Sequence, residues 1–494
     1  MATDERSRSL TGNRTRRGPR IALTIALVAI SGLVAGPGAA AASAPSASPG
    51  PASIRTGADR LLTTTAATTG PGIAVLIARG DAIIYRAARG SADIELGVPL
   101  KPDQVFNIAS ITKMFTAATI LKLAEQGKLS LGDPLTRYLP DFPGEPVTLR
   151  QLLSHTGGIS DKTPPADLQP GALRRDYDMA TLVAQIAKRP RDFTAGSDQS
   201  YSNSGFILLG AVIEKVTGKR WYEAERDLLF TPLGLRHTGY AIASYVIPGR
   251  VRGYTTDTPD HSVRNASYIS MTVPASAGGL ASTLDDLRMW MRALATGRVL
   301  SAGDFRQMTV PVIPPGKTPS HPYGFGMYIW SVRGETMIGH VGQINGFASI
   351  LAYLPARDLT IVALGNDGNF DAQNFGRRLA AITMGKPYPA VVSVPISTPD
   401  LNALAGSYQE GTGVRTLLVR DGKLYTHRGA DADAPLQMTA SGELHFVPDE
   451  LAYFEPVRDA SGSIVRLDDF EHGDGPPKPL PRLSKDPSPQ AQGK

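Results

Sequence analysis

The sequence predicts an α+β fold in which an antiparallel sheet is flanked by helices and interrupted by an inserted helical region, followed by a small all-β, barrel-like domain. Three observations lead to this prediction. Apolar runs typical of strands lie at residues 73–85 and again at 337–364, helical patterns lie between them, and residues 401–472 show only short β runs separated by turns. Because the strand patterns lie at both ends of residues 73–364 and helical patterns lie between them, we expect the two ends to form one sheet, with the chain between them as the inserted helical region.

The first predicted elements are a hairpin and a long helix. Residues 73–78 and 82–85 are short apolar runs on either side of a Gly-Asp pair, which is typical of a tight turn. The helix extends from Ser110 to Gly127, because apolar residues recur near the helical period and a glycine closes the pattern.

The rest of this region alternates between the two kinds of pattern. We predict helices at 200–219 and 279–297, consecutive antiparallel strands at 337–340, 347–353 and 359–364, and a closing helix at 374–384.

Composition divides the chain into six segments. They are a signal peptide (1–42), a flexible spacer (43–56), the main α+β domain (57–385), a Pro-rich linker (386–400), the all-β domain (401–472) and a disordered tail (473–494).

The N-terminal segment has the composition of an export signal. Six arginines precede an apolar run at residues 21–34, and a row of alanines ends at Ala42. The run is short for a membrane span, so we expect cleavage near Ala42 and a secreted or extracytoplasmic protein. An uncleaved anchor is the alternative, and Arg16-Arg17 is a weak indication of the twin-arginine route.

Charge and cysteine content exclude several classes of function. The chain of 494 residues has a formal net charge of +6, and four of these charges lie in the predicted leader. The remaining charge does not indicate a nucleic-acid partner. Zero cysteines exclude disulfides, thiol catalysis and cysteine-ligated zinc, and no cofactor or metal is expected.

The first chemical motif is Ser110-x-x-Lys113. On a helix, residues three apart share a face, so the lysine amine lies within reach of the serine hydroxyl. A serine at a helix start also lies beside unpaired N–H groups that stabilise an oxyanion. The alternative is an N-cap serine followed by a solvated lysine.

The second motif is Tyr201-x-Asn203, which occurs once in the chain. A lysine ammonium nearby would lower the pKa of the tyrosine and make it a base for a serine hydroxyl. The asparagine can hydrogen-bond both the lysine and a substrate amide. A simple turn before a helix explains the tripeptide equally well.

The third motif has two candidates, His155-x-Gly157 and His340-x-Gly342. We choose His340, because it lies on a predicted strand whose glycines allow another backbone to approach closely. His155 lies in a predicted loop. A structural role remains the alternative for either histidine.

In this order the three motifs resemble those of the serine β-lactamase and penicillin-binding protein superfamily, in its class C and D-alanyl-D-alanine carboxypeptidase branch. The resemblance covers about residues 55–385 and includes the flanking segments 148–158, 278–287 and 323–326. It implies a β-lactamase/transpeptidase-like fold. Residues 400–472 are similar to the lipocalin-like β domain often appended to such hydrolases.

The resemblance implies a role for each matched residue. Ser110 would be the acylated nucleophile and Lys113 its proton partner, while Tyr201 would be base toward the serine and acid toward the leaving group. Asn203 would orient the lysine and the substrate, His340 with Gly342 would polarise and shape the site, and the backbone N–H groups of Ser110 and Gln343 would form the oxyanion hole.

His340 departs from the lysine that many members carry at this position. A histidine gives a weaker and pH-dependent anchor for a substrate carboxylate, so an efficient β-lactamase is less expected than a peptidase, D-aminopeptidase or esterase. We predict an exported serine hydrolase that acts on D-Ala-terminated peptides or carboxylic esters. The alternatives are a class C-type β-lactamase and a non-catalytic penicillin- or cell-wall-peptide-binding protein. The partner is a small-molecule or peptide substrate, and the oligomeric state is left open.

Overall fold

The structure is a computed structural model that describes residues 49–161, 171–256, 262–317, 321–429, 432–447 and 451–483. The predicted signal peptide and the last residues of the predicted tail, 484–494, lie outside the described residues. No helix in the described part of the chain is both long and apolar enough to cross a membrane.

The helices of the described chain are short. In order they are α1 (Pro51–Thr65), α2 (Thr112–Glu125), α3 (Leu149–Leu153), α4 (Met179–Ala187), α5 (Asn203–Thr217), α6 (Trp221–Glu225), α7 (Thr231–Leu233), α8 (Ala275–Gly278), α9 (Leu284–Ala295), α10 (Ala302–Thr309), α11 (Ala372–Thr383) and α12 (Thr398–Leu404).

The strands fall into a group before residue 366 and a group after residue 392. The first group is β1 (Ile73–Arg79), β2 (Ala82–Arg89), β3 (Ser91–Asp93), β4 (Val98–Pro99), β5 (Phe106–Asn107), β6 (Gly239–Tyr240), β7 (Tyr254–Thr255), β8 (Arg264–Asn265), β9 (Leu280–Ser282), β10 (Tyr328–Val332), β11 (Glu335–Ile344), β12 (Phe347–Leu354) and β13 (Leu359–Gly365). The second is β14 (Ser393–Val394), β15 (Gly406–Glu410), β16 (Gly413–Arg420), β17 (Lys423–Arg428), β18 (Ala434–Thr439), β19 (Leu444–Phe446), β20 (Tyr453–Arg458), β21 (Ile464–Phe470) and β22 (Lys478–Pro481).

The central sheet has the strand order β10-β11-β12-β13-β1-β2, and all of its neighbours are antiparallel. Strand β1 of the N-terminal hairpin therefore pairs with β13, with Ile73 opposite Gly365 in the register. This confirms the predicted α+β fold with one sheet assembled from both ends of the domain. The chain between them forms the inserted helical region.

Alternate residues of the sheet pack against different helices. Val75 and Ile77 of β1 lie in one apolar cluster with residues of α1 and α11, whereas Ala74 and Leu76 lie in another with α2 and α9. Successive strand residues point to opposite faces, so the continuous apolar run of β1 reflects a strand covered on both sides. The helix α2, which follows Ser110, thus lies against a rigid sheet.

Three predicted helices begin later than the sequence indicated: α5, predicted from residue 200, begins at Asn203, and the other two are α2 and α9. Residues 109–111 form a single 3-10 turn, and α2 begins only at Thr112. In the predicted segment 279–297, residues 280–282 form strand β9, and α9 starts after Thr283, whose hydroxyl accepts the N–H of Asp286. The start of α9 is delayed because residues 280–282 pair with β5 and β6. Before α2, the chain is tied down at Ile108, whose N–H donates to the carbonyl of Leu280 just ahead of the 3-10 turn.

The C-terminal strands form a barrel-like sheet in the order β15 to β22, and β14 pairs with β18. The last strand returns to the first: Tyr408 bridges Arg482, and the N–H of Leu483 donates to the carbonyl of Ser407 at 2.9 Å. Buried leucines of α12 and of the strands, together with Phe454 and Tyr408, form one apolar cluster. The barrel interior is therefore filled by the chain's own side chains.

Three of the predicted segment boundaries are wrong. The spacer was placed over 43–56, but α1 starts at Pro51, because Ile54, Ala58 and Leu62 bury one helical face. The linker 386–400 contributes β14 and the start of α12. The tail was placed from residue 473, but residues 478–481 form β22, whose two prolines alternate with the fully buried Leu480.

Candidate active site

Ser110 lies at a strained backbone turn between β5 and α2. The preceding residue, Ala109, has a φ of +46°, a left-handed conformation that costs free energy for a residue other than glycine. No side chain caps α2, and the Ser110 hydroxyl instead accepts a hydrogen bond from Lys113 at 3.1 Å. The interpretation of Ser110 as a simple helix cap is therefore wrong.

Lys113 is fully buried and its amine contacts three oxygen atoms. Besides Ser110 Oγ, Nζ donates to Asn203 Oδ1 at 2.7 Å and to the carbonyl of Ala277 at 2.8 Å. The structure thus brings together the serine, the lysine and the asparagine that the sequence selected.

Burial lowers the pKa of Lys113 from 10.5 to about 7, although the carboxylate of Asp161 opposes this shift. Two of the three oxygens belong to carbonyl groups and can only accept, so they fix two hydrogens of the amine. The third position faces Ser110 Oγ. In the neutral amine this position is a lone pair directed at the serine hydroxyl, and in the ammonium it is a donor.

Tyr201 lies beside both residues, with its ring centroid 4.7 Å from Lys113 Nζ and a side-chain hydrogen bond to Ser110. Desolvation is the largest influence on this phenol, and it raises the pKa of Tyr201 well above 10. The expectation that the lysine would lower this pKa is wrong, because the enclosing protein outweighs the charge. Tyr201 is a neutral phenol that can donate a proton.

His340 is buried with both ring nitrogens hydrogen-bonded. Nδ1 contacts the carbonyl of Val341, which only accepts, so Nδ1 carries the proton and Nε2 accepts from the hydroxyl of Tyr323 at 3.0 Å. Burial is the main cause that lowers the pKa of His340 to about 3. The predicted pH-dependent anchor is therefore wrong: this imidazole is neutral throughout the physiological range.

Gly342 allows β11 to approach the chain that leads to Ser110. A Cβ atom at this position would lie 2.1 Å from the carbonyl oxygen of Ile108 and 2.6 Å from the hydroxyl of Ser349. Because β10 begins opposite Gly339, residues 340–344 have no strand partner on that side within the described chain. Gln343 lies on this stretch and lines the same cavity as Ser110, as an oxyanion-hole residue requires.

We expect Gly342→Ala to lower kcat/KM by about 100-fold, because the methyl group must push β11 away from the residues that precede Ser110. Steady-state kinetics on an ester substrate measure this loss. Gly303→Ala is the matched control, since a Cβ there meets only the Ser301 hydroxyl, at 3.7 Å. Equal activity of the two variants would contradict the close-approach argument.

His155, the rejected candidate for the third motif, also lies at the site. Its φ is +60°, its side chain is buried, and Nδ1 accepts the N–H of Ser202 at 3.1 Å. Its ring centroid is 4.4 Å from those of Tyr201 and Tyr323. His155 therefore fixes the backbone of the Tyr201-Asn203 motif through the Ser202 N–H, and it is not among the residues that line the cavity.

Asp161 was not predicted from the sequence. Its carboxylate accepts the N–H groups of Asn203 and Ser204, which begin α5, and lies 3.7 Å from the guanidinium of Arg189. Acceptors at a helix N-terminus satisfy donors that have no partner inside the helix. Asp161 thus fixes Asn203 from the loop side, as His155 fixes Tyr201.

A cavity of about 550 Å³ opens beside Ser110. One side consists of residues from β11 and the other of apolar side chains from α4, α5 and the segment before them. We call this second side the apolar wall; it comprises Leu173, Tyr177, Leu182, Ile186 and Ile207. The charged side chains among the described lining residues are Asp161 and Arg189, which contact each other.

Comparison with known proteins identifies relatives that are similar to this chain in sequence. A family model described as beta-lactamase matches residues 58–383. Curated relatives include Esterase EstB of Burkholderia gladioli (34% identity, 42% of this chain, 56% of that protein) and a D-aminopeptidase of Gluconobacter oxydans (27% identity, 69% and 63%). A third, penicillin-binding protein 4 of Amycolatopsis lactamdurans, is 28% identical over 70% of this chain and 94% of its own length. The chain thus spans less than two thirds of the length of the first two.

Solved structures give the same result for the fold. A D-stereospecific amidohydrolase from Streptomyces sp. superposes with a TM-score of 0.56 at 28% identity, over 64% of this chain and 94% of its own. The D-amino acid amidase of Ochrobactrum anthropi SV3 has a TM-score of 0.58 at 23% identity, over 68% and 98%, and supports the fold alone.

Proposed function

Because this chain belongs to the beta-lactamase family and is a serine hydrolase, we propose that it cleaves ester or amide bonds of small substrates through an acyl-enzyme at Ser110. The observation that carries this proposal is the contact of Ser110 with a buried lysine whose pKa is about 7. An amine that is half neutral at physiological pH is a competent base for a hydroxyl. We also propose that the protein is exported, on the composition of its N-terminal segment.

The contacts support a role for each residue. The neutral Lys113 amine removes the proton of Ser110 Oγ as that oxygen attacks the substrate carbonyl, and the N–H groups of Ser110 and Gln343 stabilise the resulting oxyanion. The phenol of Tyr201 donates its proton to the leaving oxygen or nitrogen, and the lysine proton restores the phenol. Attack by water on the acyl-enzyme then releases the acid and frees Ser110.

The charges of the cavity favour substrates without a carboxylate beside the reacting carbonyl. His340 is neutral, and the guanidinium of Arg189 already contacts Asp161 and the hydroxyl of Ser204. A carboxylate would therefore enter the described part of the cavity without a cation to bind it. Carboxylic esters and amino acid amides consequently rank above D-Ala-terminated peptides, which the sequence favoured together with esters, and above β-lactams.

The apolar wall indicates which acyl groups fit. Leu182, Ile186 and Ile207 are each less than 10% exposed, and they face the cavity from two adjacent helices. An aliphatic or aromatic acyl group would bury these surfaces further and gain free energy from leaving water. The names of the relatives, an esterase and a D-aminopeptidase, agree with this substrate class.

A panel of four substrates tests the proposal: p-nitrophenyl butyrate, D-phenylalanine amide, an acyl-D-Ala-D-Ala peptide and nitrocefin. We expect turnover of the first two, with kcat/KM at least about tenfold above the others. Faster cleavage of the D-Ala-D-Ala peptide or of nitrocefin would contradict the charge argument. Stoichiometric acylation with no release of product from any of the four would favour the non-catalytic binding protein.

We expect His340→Lys to raise kcat/KM for the D-Ala-D-Ala peptide, relative to p-nitrophenyl butyrate, by about tenfold above pH 7. A lysine adds the missing cation, and a hydrogen bond between charged groups contributes about 1.5 kcal/mol or more. The ratio of the two rates is the measurement, since it cancels any general loss from the Tyr323 contact. His237→Lys adds the same charge at an exposed position that does not line the cavity, and it controls for net charge. An unchanged ratio would refute the argument from charge.

A further inference from the structure

A loop of the β domain contacts the turn of the hairpin that carries two rings of the active site. The loop joins β21 to β22 and contains Asp474, and the hairpin consists of β10 and β11 with Arg333 and Gly334 at its turn. This contact joins parts of the chain that are 141 residues apart.

The carboxylate of Asp474 binds three donors from outside its own domain. Oδ1 accepts from the guanidinium of Arg377 on α11 at 2.7 Å, and Oδ2 accepts the backbone N–H of Arg333 and the hydroxyl of Tyr388, the latter at 2.6 Å. The side chain of Arg377 is 2% exposed and that of Asp474 is 9% exposed. Contacts between charged groups removed from water hold their geometry tightly.

The turn itself needs to be held. Arg333 and Gly334 have φ angles of +51° and +82°, the two left-handed residues of a type I′ turn, and the first position strains a residue other than glycine. The guanidinium of Arg333 lies 3.9 Å from the centroid of the Tyr388 ring and donates to the carbonyls of Lys386 and Pro387. The backbone N–H of Arg333 and its guanidinium are thus both hydrogen-bonded where the β domain meets the sheet.

The other end of the hairpin reaches the catalytic residues. Tyr328 opens β10, lines the cavity, and lies parallel to the ring of Tyr201 at 6.2 Å. It pairs with Gly339, the neighbour of His340. Since β10 has only five residues, a shift at its turn is transmitted along one short, paired strand.

We propose that Asp474 is a positioning residue for hydrolysis, through which the β domain fixes the β10–β11 hairpin and hence the cavity wall at Tyr328. The inference rests on the proposed function of the Ser110 site. Ser110 and Lys113 lie outside the hairpin, and Gln343 lies beyond the part of β11 that pairs with β10 and is held by β12 instead. The loss of this contact therefore changes the fit of the substrate more than the reactivity of the serine. KM rises, whereas kcat stays nearly constant.

Two double variants of the full chain test this proposal. Both lack the buried charge of Arg377, so they differ only in whether residue 474 can accept a hydrogen bond. Arg377→Met with Asp474→Asn keeps a side-chain oxygen for the Arg333 N–H, and Arg377→Met with Asp474→Leu does not. We expect KM for p-nitrophenyl butyrate to be about tenfold higher in the leucine variant, with kcat values within about threefold of each other. Arg466→Met with Asp468→Asn, which removes an ion pair inside the same domain with the same change in net charge, is the control and is expected to leave KM within about twofold of the unmodified protein.

Equal KM values in two folded double variants would overturn the inference. Amide hydrogen exchange separates this result from failure of the proposed function, because it needs no turnover. In Asp474→Asn the amide oxygen accepts the Arg333 N–H more weakly than the carboxylate does, so we expect faster exchange at residues 328–340 than in the unmodified protein, with strand β16 unchanged. Hydrogen exchange also tests the positioning role of Asp474 if the leucine variant does not fold. Unchanged exchange in the hairpin, or an equal increase in β16, would overturn the proposed coupling.

Discussion

Replacing Ser110 by alanine is expected to abolish hydrolysis of p-nitrophenyl butyrate, with kcat lower by at least about 10⁴-fold. Without the hydroxyl, no acyl-enzyme forms, and Lys113 and Tyr201 have no oxygen to activate. The free energy of unfolding is expected to change by less than about 1.5 kcal/mol, because the Ser110 side chain caps no helix and lies at the cavity, where water can replace its hydrogen bond to Lys113. Kinetics, labelling by a fluorophosphonate and denaturant unfolding measure the three quantities.

Ser301→Ala is the matched control for this experiment. Ser301 is a true N-cap whose hydroxyl accepts the N–H of Asp304 at 3.1 Å, far from the cavity. Its loss should cost about 1 kcal/mol of stability and leave hydrolysis intact. If Ser110→Ala kept its activity or its fluorophosphonate labelling, the acyl-enzyme mechanism would be excluded.

Replacing Lys113 by methionine is expected to lower kcat/KM by about 10³-fold, the usual contribution of a general base. In the unmodified protein, kcat/KM should rise tenfold per pH unit below about pH 7 and level off above it, because only the neutral amine accepts the proton of Ser110. The variant should lose this dependence. A pH profile that is flat from 5 to 9 in the unmodified protein would contradict the role of the lysine.

Stability gives an independent check on the same amine. Its pKa is about 7 in the folded protein and 10.5 ordinarily, so the unfolded chain binds more protons between these values. Burial of the ammonium therefore costs the folded state most below pH 7, and this cost disappears as the pH rises to about 10.5. Lys113→Met removes it, so we expect the variant to be more stable than the unmodified protein at pH 6, with a smaller difference at pH 10. Urea unfolding at both values is the test.

The sequence predicted those parts of the site that follow from local spacing. Ser110 and Lys113 meet because three residues along the first helical turns bring two side chains to one face, and Asn203 reaches the lysine as expected. Asp161 and the carbonyl of Ala277 could not be predicted. They come from segments without a repeating pattern, and only the packed fold brings Ala277 to the lysine and Asp161 to the first residues of α5.

Protonation states were predicted less well than positions. The neutral charge of His340 and the raised pKa of Tyr201 depend on how completely the surrounding aromatic rings exclude water, which no spacing in the sequence encodes. The β domain shows a similar limit. Its prolines suggested a disordered tail, whereas Leu480 between two of them fills the barrel and makes the segment a strand.

The discontinuous construction of the site has a consequence for how the protein acquires activity. The three oxygens around Lys113 come from positions 110, 203 and 277, and the sheet beneath α2 closes only when β1 meets β13. Contacts so distant in sequence form slowly, because long loops must close before they are stabilised. A reactive Ser110 therefore appears only in chains that have completed this topology. The rate at which refolding protein gains fluorophosphonate labelling would report the last step of folding, separately from the earlier formation of helices.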